Sequence, residues 1–186
     1  MICSFFQLKS KNKDYFAGMA LKPKKNKVFY VMGVSGCGKS TIAKMLAEVL
    51  SITFVDADDF HPATNIEKMQ AGFPLNDEDR AEWLQAINSY VRSELSKTSM
   101  VIACSALKKR YRQVLSQKIE DQTSWIYLRG SFELIQSRMK ARDHFMPASL
   151  LQSQFDALEE PEEAIVLNIE QAPELIIAKI LTHLKD

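Results

Sequence analysis

From residue 27 onward the chain alternates short, almost uninterrupted apolar runs with longer stretches in which apolar residues return every three or four positions. The short runs, at 28–32, 52–55, 100–104, 125–128 and 164–169, predict strands. Their continuity is what a parallel sheet buried on both faces requires. The longer stretches predict helices. In 39–50, Ile42, Met45, Leu46 and Val49 share one helical face, and in 77–95 Trp83, Leu84, Ile87, Val91 and Leu95 do the same. Further helices are expected at 108–116, 132–141, 148–158 and 173–184, the last opening on Pro173, whose missing N–H is no loss in a first turn. This alternation predicts an α/β fold of three layers, a central parallel sheet flanked by helices and joined by right-handed crossovers.

Composition adds bounds to that picture. A chain of 186 residues with 46% hydrophobic and 25% charged residues suits one compact domain, expected over 28–186. Residues 1–27 differ. They are rich in lysine, hold a short apolar patch at 2–6, lack a cleavage signal and include Met19 as an alternative start, so a disordered leader is expected there. A formal net charge of +1 gives no reason to expect nucleic acid or an anionic membrane as partner, and no apolar run approaches the roughly 20 residues of a membrane span. Cys3, Cys37 and Cys104 are an odd number at wide spacing, which fits the reducing cytoplasm better than a disulfide framework or a zinc site.

The candidate chemistry begins where the first apolar run ends. Gly33-Val34-Ser35-Gly36-Cys37-Gly38-Lys39-Ser40 is a GxxxxGK[ST] pattern set between a strand and a helix. Glycines let the backbone curl so that its N–H groups face phosphate oxygens, the helix N-terminus adds its dipole, and Lys39 brings charge to the β- and γ-phosphates. ATP is therefore expected, held by Gly33, Ser35, Gly36, Cys37, Gly38, Lys39, Ser40 and Thr41, with Ser40 as a ligand to Mg²⁺. Cys37, beside a helix N-terminus and Lys39, is read either as a small residue tolerated in the loop or as a thiol of lowered pKa.

An acid at the end of the strand 100–104 would be the usual partner of such a loop, but Ser105-Ala106-Leu107 follows instead. Carboxylates follow the second strand, in Asp56-Ala57-Asp58-Asp59. Alternation along an extended segment would put Asp56 and Asp58 on one side, so Asp56 is assigned to the Mg²⁺ shell and Asp58 to a substrate hydroxyl. A guanine-nucleotide switch is disfavoured, since no Asp after the loop has Gly three positions on and Asn12-Lys13-Asp14 has the wrong place for a base-reading motif. The protein-kinase glycine loop is absent too.

Arg80 opens a helix, and Lys108, Lys109, Arg110 and Arg112 crowd the turn after the third strand, which suits an anionic substrate; Arg80 carries most weight, and Lys109 and Arg110 read as a solvated face. Arg138 and Arg142, with 144–147 beyond, form either a segment folding over ATP or a plain surface helix. His61 and His144 lack metal-ligand spacing, so hydrogen-bonded histidines are expected.

Four segments in order, GVSGCGKS, DADDFHPATNIEKMQAGFPLNDEDRAEWL at 56–84, CSALKKRYR at 104–112 and RMKARDHFMPASLLQSQFDALEEP at 138–161, resemble the gluconate kinases (gluconokinases), P-loop kinases related to shikimate kinase. The resemblance spans about 28–186. It implies ATP-dependent phosphorylation of D-gluconate at its terminal hydroxyl to 6-phosphogluconate, sheet order 2-3-1-4-5, a mobile lid over about 138–150, and commonly a homodimer. It also implies Asp58 near the sugar hydroxyl, Arg80 near the carboxylate, His61 and Lys108 lining the sugar site, and Arg138 against the adenine. In-line transfer with Lys39, Asp58 and Arg142 as the catalytic set is the mechanism expected from these residues. Ala81-Glu82 stands before Trp83 where the family often has proline, which bears on the helix start. Another small hydroxy acid such as shikimate is the alternative acceptor, and a nucleotide switch without chemistry the remaining one.

Overall fold

The computed structural model describes residues 25–140 and 148–185. Five strands, β1 (Val28–Met32), β2 (Thr53–Asp56), β3 (Met100–Ala103), β4 (Thr123–Arg129) and β5 (Ile165–Asn168), form one sheet in the order β2-β3-β1-β4-β5. Every neighbouring pair is parallel, with Tyr30 of β1 opposite Ile102 on one side and Trp125 on the other. Both the parallel sheet and its order agree with expectation. The seven α-helices among the described residues are α1 (Lys39–Leu50), α2 (Ala63–Gln70), α3 (Asp77–Glu94), α4 (Lys109–Ser116), α5 (Phe132–Lys140), α6 (Ala148–Ala157) and α7 (Pro173–His183).

Alternate residues of β1 feed two cores because strand side chains point to opposite faces. Phe29 and Val31 join Ile42 and Leu46 of α1 and Ile176, Ile177 and Ile180 of α7; Val28, Tyr30 and Met32 join Trp83, Leu84, Ile87 and Val91 of α3 and Leu115 of α4. This two-sided burial is why β1 is apolar at every position. On the second face Asn88, buried, donates from Nδ2 to the carbonyls of Leu115 (2.9 Å) and Gln117 (3.1 Å). It ties α3 to the C-terminal end of α4.

Two elements were not legible in the hydrophobic pattern. The segment 63–70 is a helix although Asn65 is its one buried residue; Asn65 Nδ2 donates to the Asp79 carbonyl at 2.7 Å, a polar anchor that leaves no apolar stripe. Ala57–Phe60 is a 3-10 turn, so the chain is not extended through Asp58 as the alternation argument assumed. The start of α3 is secure without proline: Asn76 accepts from the Asp79 N–H and Asp79 accepts from the Asn76 N–H, a capping box that satisfies two end donors reciprocally.

Candidate active site

The phosphate loop leaves β1 at the carboxyl edge of the sheet and runs into α1. Its shape depends on glycine at two positions. A Cβ on Gly33 would lie 2.8 Å from the Leu128 carbonyl oxygen, and one on Gly36 would lie 2.7 Å from Met139 Cγ, with φ of +141° and +80°. Lys39 Nζ donates to the Val34 carbonyl at 3.1 Å, which lays the ammonium across the loop. The Ser35 N–H donates to Gln154 Oε1 of α6 at 2.7 Å, so this amide is already paired within the protein.

Beside the loop, Ser40 Oγ donates to Asp56 Oδ2 at 2.9 Å. Asp56 caps the 3-10 turn by accepting from the Asp58 N–H at 3.2 Å through Oδ1. The two acids are therefore brought together by a cap rather than by strand alternation. Trp83 holds this turn from below, its Nε1–H donating to the Ala57 carbonyl at 2.7 Å inside the core. The Asp58 side chain is 82% exposed, and partial desolvation, then the negative charge of Asp56, raise its pKa, with Lys39 opposing. A residue poised in this way is better able to accept a proton than an isolated carboxylate.

His61 stacks flat on Trp83, ring centroids 4.4 Å apart and planes 9° apart, and its Nε2 lies 3.9 Å from Asp58 Oδ1. Burial, then the nearby Arg80 charge, lower its pKa to about 4, so it is a neutral imidazole near pH 7. Because the folded value lies below the ordinary 6.5, the folded state binds this proton less well than the unfolded chain, and stability is lost as pH falls from 6.5 through about 4. An NMR titration should show the His61 ring protonating near 4, and His61→Gln should flatten the fall of the urea midpoint over that interval. A ring that titrates near 6.5 would contradict the packing.

Across the cleft, Arg80, Lys108 and Arg110 surround Tyr111, each charge centre 5.7 Å from the ring centroid. Arg80 is oriented by donating to the carbonyls of Leu75 and, at 3.1 Å, Asn76. Asp77 receives Lys108 Nζ at 3.0 and 3.3 Å, together with the Arg110 guanidinium and the Tyr111 hydroxyl. The hydrogen bond from Tyr111, then that from Lys108, lower the Asp77 pKa to about 2. Arg110 is exposed, as expected, while its guanidinium pairs with Asp77. Arg112 departs from the sequence reading: buried, it donates to the carbonyls of Ala106 and Leu107 at 3.0 and 3.1 Å and shapes the loop after β3 instead of facing a ligand. Lys109 is exposed, 3.8 Å from Glu162, as expected.

On the far side of the loop a cavity of about 340 Å³ is bordered by Cys37, Gly38, Thr41, Ile42, Arg138 and Pro173. Arg138 is steadied there by donating to the Ile169 carbonyl at 2.9 Å. The structure thus brings Thr41 and Arg138 to one hollow. Cys37 is buried, and burial raises its pKa more than Lys39 lowers it, so the reading as an activated thiol is overturned and the reading as a small packed residue stands. Arg142, His144 and most of the expected lid lie outside the described residues.

The sequence reading did not single out Asp77, Tyr111 or Gln154, because nothing in their local spacing signals that two distant segments meet there. The donor set near the loop fits a hard cation. Ser40 and Asp56 offer oxygen, and no cluster of three or more His, Cys, Asp or Glu exists among the described residues to form an all-protein cage. Mg²⁺ is commonly held in this partial way, by one or two protein oxygens together with water and phosphate.

Comparison with known proteins places this geometry in context. The profile of the family described as Shikimate kinase matches residues 35–184. The chain is 42% identical over 165 residues to the Thermoresistant gluconokinase of Escherichia coli (strain K12), a match covering 85% of this chain and 93% of that protein. It is 43% identical over 171 residues to the Gluconokinase of Arabidopsis thaliana, covering 83% and 90% respectively. The crystal structure of a gluconokinase from Sinorhizobium meliloti 1021 aligns with a TM-score of 0.80 at 36% identity, covering 88% of this chain and 94% of that one.

Proposed function

Because this chain belongs to the shikimate kinase family of P-loop kinases and, within it, matches gluconokinases over most of its length, we propose that it transfers the γ-phosphoryl group of ATP to the terminal hydroxyl of D-gluconate, giving 6-phospho-D-gluconate. The observation that carries the reading is a chain of contacts: the Asp56–Asp58 turn is hydrogen-bonded to the phosphate loop through Ser40, His61 lies 3.9 Å from Asp58, and the Arg80 charge acts on His61. Phosphoryl transfer asks for positioning and charge more than covalent chemistry, and these parts supply both.

In this proposal the backbone of the loop and Lys39 hold the β- and γ-phosphates, Thr41 and Arg138 border the base, and Arg142, by the family resemblance, meets the moving phosphoryl group. Ser40 and Asp56 would hold Mg²⁺, which supplies charge neutralisation when bound. Asp58 orients the acceptor hydroxyl and takes its proton, with neutral His61 beside it as a hydrogen-bonding wall. Arg80 and Lys108 bind the gluconate carboxylate, Arg80 as a planar fork matched to it. The same proposal includes a single domain over 28–186 and a homodimer working in the cytoplasm, without nucleic acid or membrane as partner. Among the described residues no helix is long and apolar enough to cross a membrane.

A coupled assay with ATP, Mg²⁺, and gluconate or shikimate as acceptor tests the reading. Turnover is expected on gluconate and not on shikimate, and the reverse would assign the chain to another hydroxy acid. In the same assay Arg80→Ala should raise the gluconate KM by about 10-fold or more, the worth of one charge-assisted hydrogen-bonded pair, while leaving the ATP KM within about 2-fold. An unchanged gluconate KM would take the carboxylate away from Arg80.

A further inference from the structure

The most unusual contact of the phosphate loop comes from a helix more than a hundred positions away in the chain. Gln154 of α6 meets Ser35 twice: its Oε1 accepts from the Ser35 N–H at 2.7 Å, and its Nε2 donates to Ser35 Oγ at 3.1 Å, across a sequence separation of 119. The neighbouring residue of the loop is braced as well. Ile135 and Met139 of α5 lie so close to Gly36 that a Cβ there would be 3.1 Å from one and 2.7 Å from the other. The brace is itself rigid, since Leu151 of α6 is buried in the same core as α1, and Phe155 packs edge-on against Phe132 of α5 with centroids 5.5 Å apart.

A glycine-rich loop left to itself samples many backbone states, and few of them point successive N–H groups at one anion. Two hydrogen bonds to one residue fix both its position and its orientation. We propose that Gln154 is a positioning residue that holds the Ser35–Gly36 part of the phosphate loop in its anion-binding shape before nucleotide arrives. Its polar end bonds to Ser35, and it acts through that residue. Apparent affinity falls in proportion to the fraction of molecules whose site is competent. Loss of the amide pair therefore weakens nucleotide binding, whereas bound phosphates restore the loop once ATP is saturating. Gln154 governs ATP affinity and leaves the transfer step nearly untouched.

This inference rests on the nucleotide part of the reading above and not on gluconate. Its test is a calorimetric titration of the full chain with ATP and with ADP, which needs no acceptor, so a failure to phosphorylate gluconate would leave it intact. Gln154→Met keeps the length and loses both hydrogen bonds; both dissociation constants should rise about 5- to 20-fold, as two net hydrogen bonds imply. Gln154→Asn, too short to reach Ser35, should do the same and serves if the methionine variant folds poorly. Where turnover is measurable, kcat at saturating ATP should stay within about 2-fold and the acceptor KM should not move. Ser35→Ala should add little in the Gln154→Met background, the non-additivity of a coupled pair. Unchanged nucleotide affinity with a lowered Tm would reduce Gln154 to a packing residue. A fall in kcat with unchanged affinity would also overturn the proposal.

Discussion

Asp58→Asn should lower kcat by about 10²–10⁴-fold, the usual worth of a positioned acid–base group, with the ATP KM within a few-fold of the parent. The amide keeps the size of the carboxylate but cannot accept a proton from the attacking hydroxyl. The assignment rests on position and charge: Asp58 has its pKa raised by partial desolvation and by Asp56, and its backbone N–H is held by the Asp56 cap. Stability should hold or rise slightly, because the substitution removes a charge repelled by Asp56 and Asp59. Steady-state kinetics in the coupled assay, alongside a urea titration, separate the two effects. A variant with the parental kcat would remove Asp58 from the proton-accepting role. With the carboxylate present, its raised pKa should shift the acid limb of kcat/KM, which reports the free enzyme, upward.

Lys39→Ala should cost about 10²–10³-fold in kcat and raise the ATP KM as well, since Lys39 alone brings a full positive charge into the phosphate loop itself. Its ammonium lies across the loop on the Val34 carbonyl, 3.1 Å away, within reach of phosphates bound there. The fold should tolerate the change. Lys39 is the first residue of α1, alanine is a good helix former, and one hydrogen bond to a carbonyl is lost. Lys39→Arg should not restore activity, because a guanidinium fork cannot take the place of a compact ammonium inside a tight loop. Turnover by Lys39→Ala at the parental rate would remove Lys39 from the catalytic set.

The contrast between these two residues shows where sequence was sufficient. Lys39 was legible at once, since strand, glycine loop, lysine and hydroxyl are contiguous and the physics of the phosphate cradle is local. Asp58 was paired with Asp56 for a partly mistaken reason. Extended alternation was assumed to pair it with Asp56, whereas a 3-10 turn capped by Asp56 brings them together. Helix 63–70 escaped notice because its anchor is a buried asparagine and not an apolar stripe, and Ile66 and Met69 are exposed on it. Arg112 was misplaced because charge alone does not say whether a side chain turns toward solvent or into the core. For Cys37 the neighbours in the chain left two readings open, and burial raises its pKa more than they lower it.

By itself, then, the sequence determined the alternation of strands and helices, the parallel sheet, the phosphate loop and the acids and bases from which a kinase site is made. Those features arise from periodicity and from residues adjacent in the chain, where geometry is set by a few backbone angles. Tertiary structure alone decided the partners: Gln154 on Ser35, Asp77 among Lys108, Arg110 and Tyr111, and Trp83 under the Asp56–Asp58 turn. Each joins segments far apart in the chain, and which of many polar groups meet there depends on how helices of given length and tilt pack on the sheet, information that no local pattern carries.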